Sequence, residues 1–314
     1  MLARIAHELY WIGRSLARAE HTARMLDGVF HADLQGAAGG DGQVRLSWDA
    51  LLVIMGLAPG PSPADRDAVV QRLTLDRGDP ASVLACVTQA REGARVVRDV
   101  FSAEMWEAIN TMHLGLTGRG APDALRTGPY SVYAYVRERC GQFWGVCDRT
   151  MLRDEGYAFL QAGARIESAD MVLRMLRVAL PAAEAATDED AEAFALLRAV
   201  GGFQAYRRAV PLPATALPVM RFLLYDASYP VSVAASTLAL LDALTAADHA
   251  VRDAPPVLRL RRLVADLEFR SGADAAERAM GATLATVQLE LAQVDADIAD
   301  RYFGRTVAPP IHLT

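Results

Sequence analysis

Long apolar runs are absent from this sequence. Its most apolar stretch, "ASYPVSVAASTLALLDALTAA", carries Pro230 near its start and Asp242 inside it. The uncharged part is shorter than the roughly 18 residues that suggest a membrane span, so no membrane helix is expected. Cysteine is scarce: three in 314 residues, an odd number that points to a reducing compartment, the cytoplasm, rather than a disulfide framework. The opening "MLARIAHELYWIG" is interrupted by His7 and Glu8 and lacks a small-residue cleavage site, which argues against a secretory signal. An excess of positive charge is missing as well. With 32 Lys+Arg against 38 Asp+Glu and a net charge of -6, the chain has no electrostatic footprint for nucleic acid.

Chemical motifs are equally sparse. Cysteine–histidine spacings of zinc type and Glu-x-x-His pairs do not occur, and no histidine lies four residues beyond His7, so no metal and no cofactor is expected. His21 adjoins Glu20, but neighbours in sequence do not face each other on a helix. No nucleophile elbow, phosphate-binding glycine loop or Ser-His-Asp arrangement can be named. Cys140 and Cys147 are a heptad apart and join Tyr133, Val136 and Phe143 in one apolar stripe, where unpaired cysteine acts as a small hydrophobe.

What the sequence does have is helical periodicity. Ile5, Leu9, Ile12, Leu16, Ala19, Ala23 and Leu26 follow the three-and-four spacing that only a helix aligns on one face, predicting a helix over 3–32. "QGAAGGDGQ" breaks it, and "SWDALLVIMG" predicts a short helix ended by "LAPGPSP". Asp79 as cap and Pro80 at the first helical position predict the next start, with Val83, Val87, Ala90, Ala94, Val97 and Phe101 buried. Helices are further expected over 103–116, 131–153 and 155–180. "GLTGRGAPDALRTGP" reads as a loop and "PAAEAATDEDAEAF" as an acidic turn capping another helix. Pro211, Pro213 and Pro218 suggest a packed connector before a helix near "MRFLLYD". Met280, Leu284, Val287, Leu291, Val294 and Ile298 mark the last helix, whose acidic face holds Asp295, Asp297 and Asp300. No alternating strand and no linker is evident. The expectation is an all-α, single-domain multi-helix bundle over 1–314.

"GRSLARAEHTARML" at 13–26 echoes "GARIESADMVLRML" at 163–176. Gly13 matches Gly163, Ala19 matches Ala169, "RML" at 24–26 matches 174–176, and Glu20 meets Asp170. Two related motif-bearing helices follow, and with them an internal duplication.

These segments, with "SWDALL", "DPASVLACVTQAREGARVVRDVFSAEMWEAIN" and "SYPVSV", resemble the bacterial alpha-E family over most of the chain. Its helical proteins carry a Glu-Arg motif of pattern Gly-Arg-x-x-Glu-Arg-Ala-Glu/Asp. In the first copy Gly13, Arg14, Arg18, Ala19 and Glu20 fit, and Ala17 stands at the glutamate. In the second, Gly163, Glu167, Ala169 and Asp170 fit, while Ala164 and Ser168 replace both arginines. Gly93 of "REGAR" stands where the family commonly shows asparagine. Neither Glu-Arg pair is intact, but the two halves complement each other if the helices pack side by side. The resemblance implies association with ATP-grasp proteins and transglutaminase-like proteases, hence a role near amide-linked small peptides.

Two arginine stripes are the candidate functional features. One runs along His7, Trp11, Arg14, Arg18 and His21, the other along Arg91, Arg95 and Arg98. Facing one cleft, they would grip carboxylate or phosphate. Alternatively Arg14 and Arg18 pair with Glu167 and Asp170 across helices, and Arg91 to Arg98 line a solvated face with Glu92 and Asp99. Trp106 and Asn110, one turn apart, read as packing, with Trp106 buried and Asn110 capping or bridging a loop. The candidate site residues are thus Arg14, Arg18, Glu20, Arg91, Arg95, Glu167 and Asp170. The leading expectation is a non-catalytic helical partner of an ATP-grasp amide-ligase-like or transglutaminase-like system. The alternative is an enzyme on a peptide or aminoacyl compound with Glu167 or Asp170 as general base, and a third reading is a structural scaffold.

Overall fold

Apolar residues spaced at three and four do form helices throughout. A computed structural model describes residues 2–34, 46–58, 60, 63–179, 189–248, 253–272 and 280–304. Among these are fourteen α-helices and no strand, so the chain is all-α. The first seven are α1 (Ala3–Leu34), α2 (Trp48–Ile54), α3 (Arg66–Leu75), α4 (Val83–Val96), α5 (Ala103–Thr117), α6 (Ala121–Thr127) and α7 (Pro129–Thr150). The second seven are α8 (Glu155–Ala179), α9 (Glu189–Ala199), α10 (Phe203–Ala209), α11 (Ala216–Tyr225), α12 (Val233–Ala247), α13 (Pro255–Gly272) and α14 (Met280–Ile298), followed by a π-helical turn, Ala299–Phe303.

The expected α1 face is core: Leu9, Ile12, Leu16, Ala19, Ala23 and Leu26 are all buried. Cys140 and Cys147 are free and buried in the α7 stripe, as is Cys86 on α4. Several local readings need correction: α4 ends at Val96, so Phe101 lies beyond it and is only partly buried, and Pro218 sits in the first turn of α11 rather than in the connector before it. Helix α4 is capped by Ser82, whose side chain accepts from the Ala85 amide at 3.0 Å. Asp79 instead holds the turn before it, accepting from the Ala81 amide at 2.9 Å and from Arg72 at 2.6 Å. The serine wins because its extended backbone aims a hydroxyl at the first free amides. The segment read as a loop contains α6, with Pro122 in its first turn and Asp123 paired to Arg126; the flanking glycines masked a proline-led start. The glycine-rich break at 35–43 and the beginning of the acidic turn at 181–188 lie outside the described residues.

The echo between α1 and α8 extends to further described elements. α3 and α11 begin and end 150 residues apart, and so do the Ser82 and Ser232 caps. Around those caps the hydrogen bonds repeat too. Ser82 donates to the Asp76 carbonyl and Ser232 to that of Asp226, and the two caps accept from the Ala85 and Ala235 amides. Asp76 and Asp226 each accept the amide two residues on. Packing repeats as well: α1, α4, α5 and α7 close one four-helix ring, and α8, α12, α13 and α14 close another. The rings meet where α1 lies on α8.

Candidate functional site

The α1–α8 seam is close because neither helix has a side chain at the crossing. A Cβ on Gly13 would run into the Leu160 carbonyl, and one on Gly163 into that of Tyr10. Both steric contacts link positions related by the 150-residue repeat. Contacts along the seam advance together, from Tyr10 with Gly163 to His21 with Ser168, so the two helices run in the same direction.

One turn into this seam lies a buried charge cluster. Glu167 has no exposed surface. Its carboxylate accepts from Arg18 Nε at 2.5 Å, Arg18 Nη2 at 3.1 Å and Arg14 Nε at 3.0 Å. Arg14 extends its other arm to Asp295 of α14 at 2.7 Å, and Tyr10 donates to the same aspartate at 2.6 Å. The Arg14 guanidinium also lies over the Trp11 ring, 4.8 Å from its centroid. Burial alone would push the Glu167 carboxyl up, but the charges of Arg18 and Arg14 outweigh it and hold it down at about 2. Burial works against the Arg14 charge as well, and Asp295 and Glu167 overcome it, keeping the guanidinium firmly protonated.

The structure therefore assembles the motif from both copies. Arg14 and Arg18 of the first close on Glu167 of the second. At the repeat-related positions stand Ala164, Ser168 and Ala17, so the symmetric counterpart is not built, and Ala17 and Ala164 are simply buried. His21 Nε2 sits 3.2 Å from Ser168 Oγ there, and burial pushes its imidazole down from the ordinary value.

Other predicted site residues lie outside the cluster. Asp170 does not join the arginines of α1: Arg174, one turn along its own helix, takes it at 2.6 Å, and Gln288 donates to it at 3.4 Å. The shorter aspartate is captured locally, as Glu20 is by Arg24 at 2.7 Å. The second stripe does not share a cleft with the first. Arg91 turns to α5, donating to Asn110 at 2.9 Å with its guanidinium 5.5 Å from the Trp106 centroid, so Asn110 joins two helices rather than capping one or bridging a loop. Arg91 and the more exposed Arg95 both bind Glu92, at 2.8 Å and 3.3 Å. Gly93, between them, faces Ile12 and Glu8 of α1.

Sequence reasoning missed Tyr10 and Asp295 as partners. Tyr10 sits one turn before Arg14, a spacing visible in the sequence; Asp295, on a helix over 280 residues away, gives no local signal. Cavities of about 320 Å³ beside Phe30 and Arg66, and about 330 Å³ beside Leu114 and Tyr135, are lined by none of the cluster residues.

No helix among the described residues is long and apolar enough to cross a membrane. Two uncharacterized proteins, from Mycobacterium bovis and Mycobacterium tuberculosis, are each 26% identical to the chain over 248 residues. The match covers 73% of this chain but only 28% of either relative, so the chain spans a minor part of their length. No solved structure matches it. With a split Glu-Arg cluster at the centre of a fully helical fold, residues 1–303 match the Alpha-E model, described as a predicted alpha-helical domain with a conserved ER motif, and the chain belongs to that family.

Proposed function

We propose that this chain is a non-catalytic helical partner of an ATP-grasp amide-ligase-like or transglutaminase-like protein, in a cytoplasmic system that makes or processes amide-linked peptides. The observation that carries the non-catalytic part is the closure of the cluster. Glu167 is wholly buried, ionised and held by two arginines, so it presents no exposed oxygen to a substrate proton. Asp170 is engaged by Arg174 and Gln288, which further supports the non-catalytic reading over the enzymatic alternative. The partner part rests on the family resemblance. Support also comes from the long relatives, in which a segment like this one accounts for 28% of the chain. Three free, buried cysteines suit a reducing compartment.

The test is affinity purification of the tagged chain from its native cells after cross-linking, with mass spectrometry of what comes with it. The purified chain is assayed in parallel for nucleotide and peptide-amide turnover. An ATP-grasp or transglutaminase-like protein should be enriched, and the chain alone should turn over neither substrate. Turnover by the chain alone, abolished in a folded Glu167→Gln variant, would replace this reading with the enzymatic one.

A further inference from the structure

The outer side of α14 carries an apolar stripe that no element among the described residues covers. Ala282, Ala285, Leu289, Ala292 and Ala296 alternate by three and four, the spacing of a seam between helices, yet Leu289 is 72% exposed. α13 runs antiparallel beside it, since Arg259 reaches Asp297 and Arg270 reaches Thr283. Both helices turn their buried residues to one core, so their exposed residues share the opposite side. There Phe269 and Leu258 of α13, 77% and 47% exposed, flank the stripe. Charge on this face is already spoken for: Glu290 holds Arg262 at 2.6 Å, and Asp297 is bound by Arg259 at 2.8 Å.

The fold does not require such a surface. The buried residues of α5 and α7 recur in α13 and α14 at a distance of 151: Met112 and Leu116 match Leu263 and Leu267, and Val136, Cys140 and Phe143 match Val287, Leu291 and Val294. In that register Leu258, Phe269 and Leu289 stand where the first half has Glu107, Gly118 and Glu138. The first half also covers this face itself, with Tyr135 lying against Gly115 and donating to the Thr111 carbonyl at 2.8 Å. Its counterpart Thr286 is too short to do so. One scaffold finished with polar groups in one copy and bare apolar side chains in the other marks the second face for a partner.

We propose that the α13 and α14 face pairs two copies of this chain about a two-fold axis. The surface is self-complementary, as a contact of one patch with itself requires. Leu289 is the midpoint of the stripe, with Ala282 and Ala296 equally far on either side. The bond from Arg262 to Glu290 sets that midpoint level with the midpoint between Leu258 and Phe269. One axis at this level therefore opposes Leu289 to its own copy, Ala282 to Ala296, and Phe269 of each chain to Leu258 of the other. The rim obeys the same axis. Arg261 and Glu268 are exposed on the α13 edge and form no ion pair among the described residues, and the axis brings each Arg261 beside the other copy's Glu268. Two chains of net charge -6 repel each other, and a face of this kind, with two reciprocal ion pairs at its edge, is where they can meet.

The test is sedimentation velocity of the purified full chain over a range of concentrations, with circular dichroism as the check on folding. The wild type should show a concentration-dependent equilibrium of monomer and dimer. Leu289→Glu, which installs the residue type the first half carries there, should keep the helical spectrum and raise the dissociation constant about thirtyfold or more, as loss of a central anchor does. Arg261→Glu should weaken pairing, and Arg261→Glu combined with Glu268→Arg should restore it, because the reciprocal pairs are then re-formed with their signs exchanged. A monomer at every concentration, a dimer indifferent to Leu289→Glu, or one that the charge exchange fails to restore would overturn the proposal.

Discussion

Two guanidiniums and one carboxylate make Glu167 the residue on which the seam's charge balance turns. Removing it leaves Arg18, whose side chain is 23% exposed, without its anion, whereas Arg14 keeps Asp295. Breaking a fully buried pair costs about 3–5 kcal/mol, and water reaching Arg18 reduces that, so Glu167→Gln should lose up to about 3 kcal/mol of unfolding free energy in urea titration. Arg18→Met and Glu167→Met together should recover most of it, because the desolvation cost of that pair disappears with its charges while Arg14 keeps Asp295. The chain has no lysine, so all 32 of its Lys+Arg residues are arginine. At position 18 that matters, since Nε and Nη2 bind both carboxylate oxygens at once, which a lysine cannot reproduce. pH adds a second check. The Glu167 carboxyl has a folded pKa near 2, below its unfolded value, so its contribution is complete above about pH 4.5 and is lost as pH falls toward 2. The neutral, buried His21, its pKa also depressed, sheds stability as pH drops below about 6.5. Acid titration of the wild type should show both losses, and Glu167→Gln should lack the lower one.

Helices α1 and α8 approach through Gly13 and Gly163, and the repeat makes these two positions one experiment done twice. Gly13→Ala and Gly163→Ala each place a methyl group against backbone of the opposite helix, which cannot rotate away. Overpacking of side chains costs about 1–3 kcal/mol; here both variants should reach or exceed that range, with matching drops in Tm by circular dichroism. The caps offer the milder comparison. Ser82→Ala and Ser232→Ala each remove a hydroxyl that accepts an N-terminal amide, and each should cost about 1 kcal/mol. Element types were legible in the sequence wherever burial imposed a period of three to four, as in α1, α7, α8 and α14. Short elements were not: seven residues of α6 carry too little periodicity to outweigh the glycines around them, and Asp79 and Ser82 compete for one cap within four residues.

The described residues form two seven-helix halves whose shared motif is completed only by their contact. Half of this was readable in advance: the echo between 13–26 and 163–176 and the complementary losses at Ala17, Ala164 and Ser168 are written in the residues. That Arg14 and Arg18 meet Glu167 but not Asp170 was not readable, because the choice depends on the rotation of two helices about the Gly13–Gly163 contact. Asp295 was hidden for a related reason, since a residue on α14 reaches Arg14 only after the second ring has closed. If the cluster clasps the halves together, its members must be energetically coupled. A double-mutant cycle of Arg18→Met and Glu167→Gln, read as unfolding free energy, should therefore give a coupling of about 1–3 kcal/mol, whereas additivity within about 0.5 kcal/mol would contradict a clasp built across the two halves.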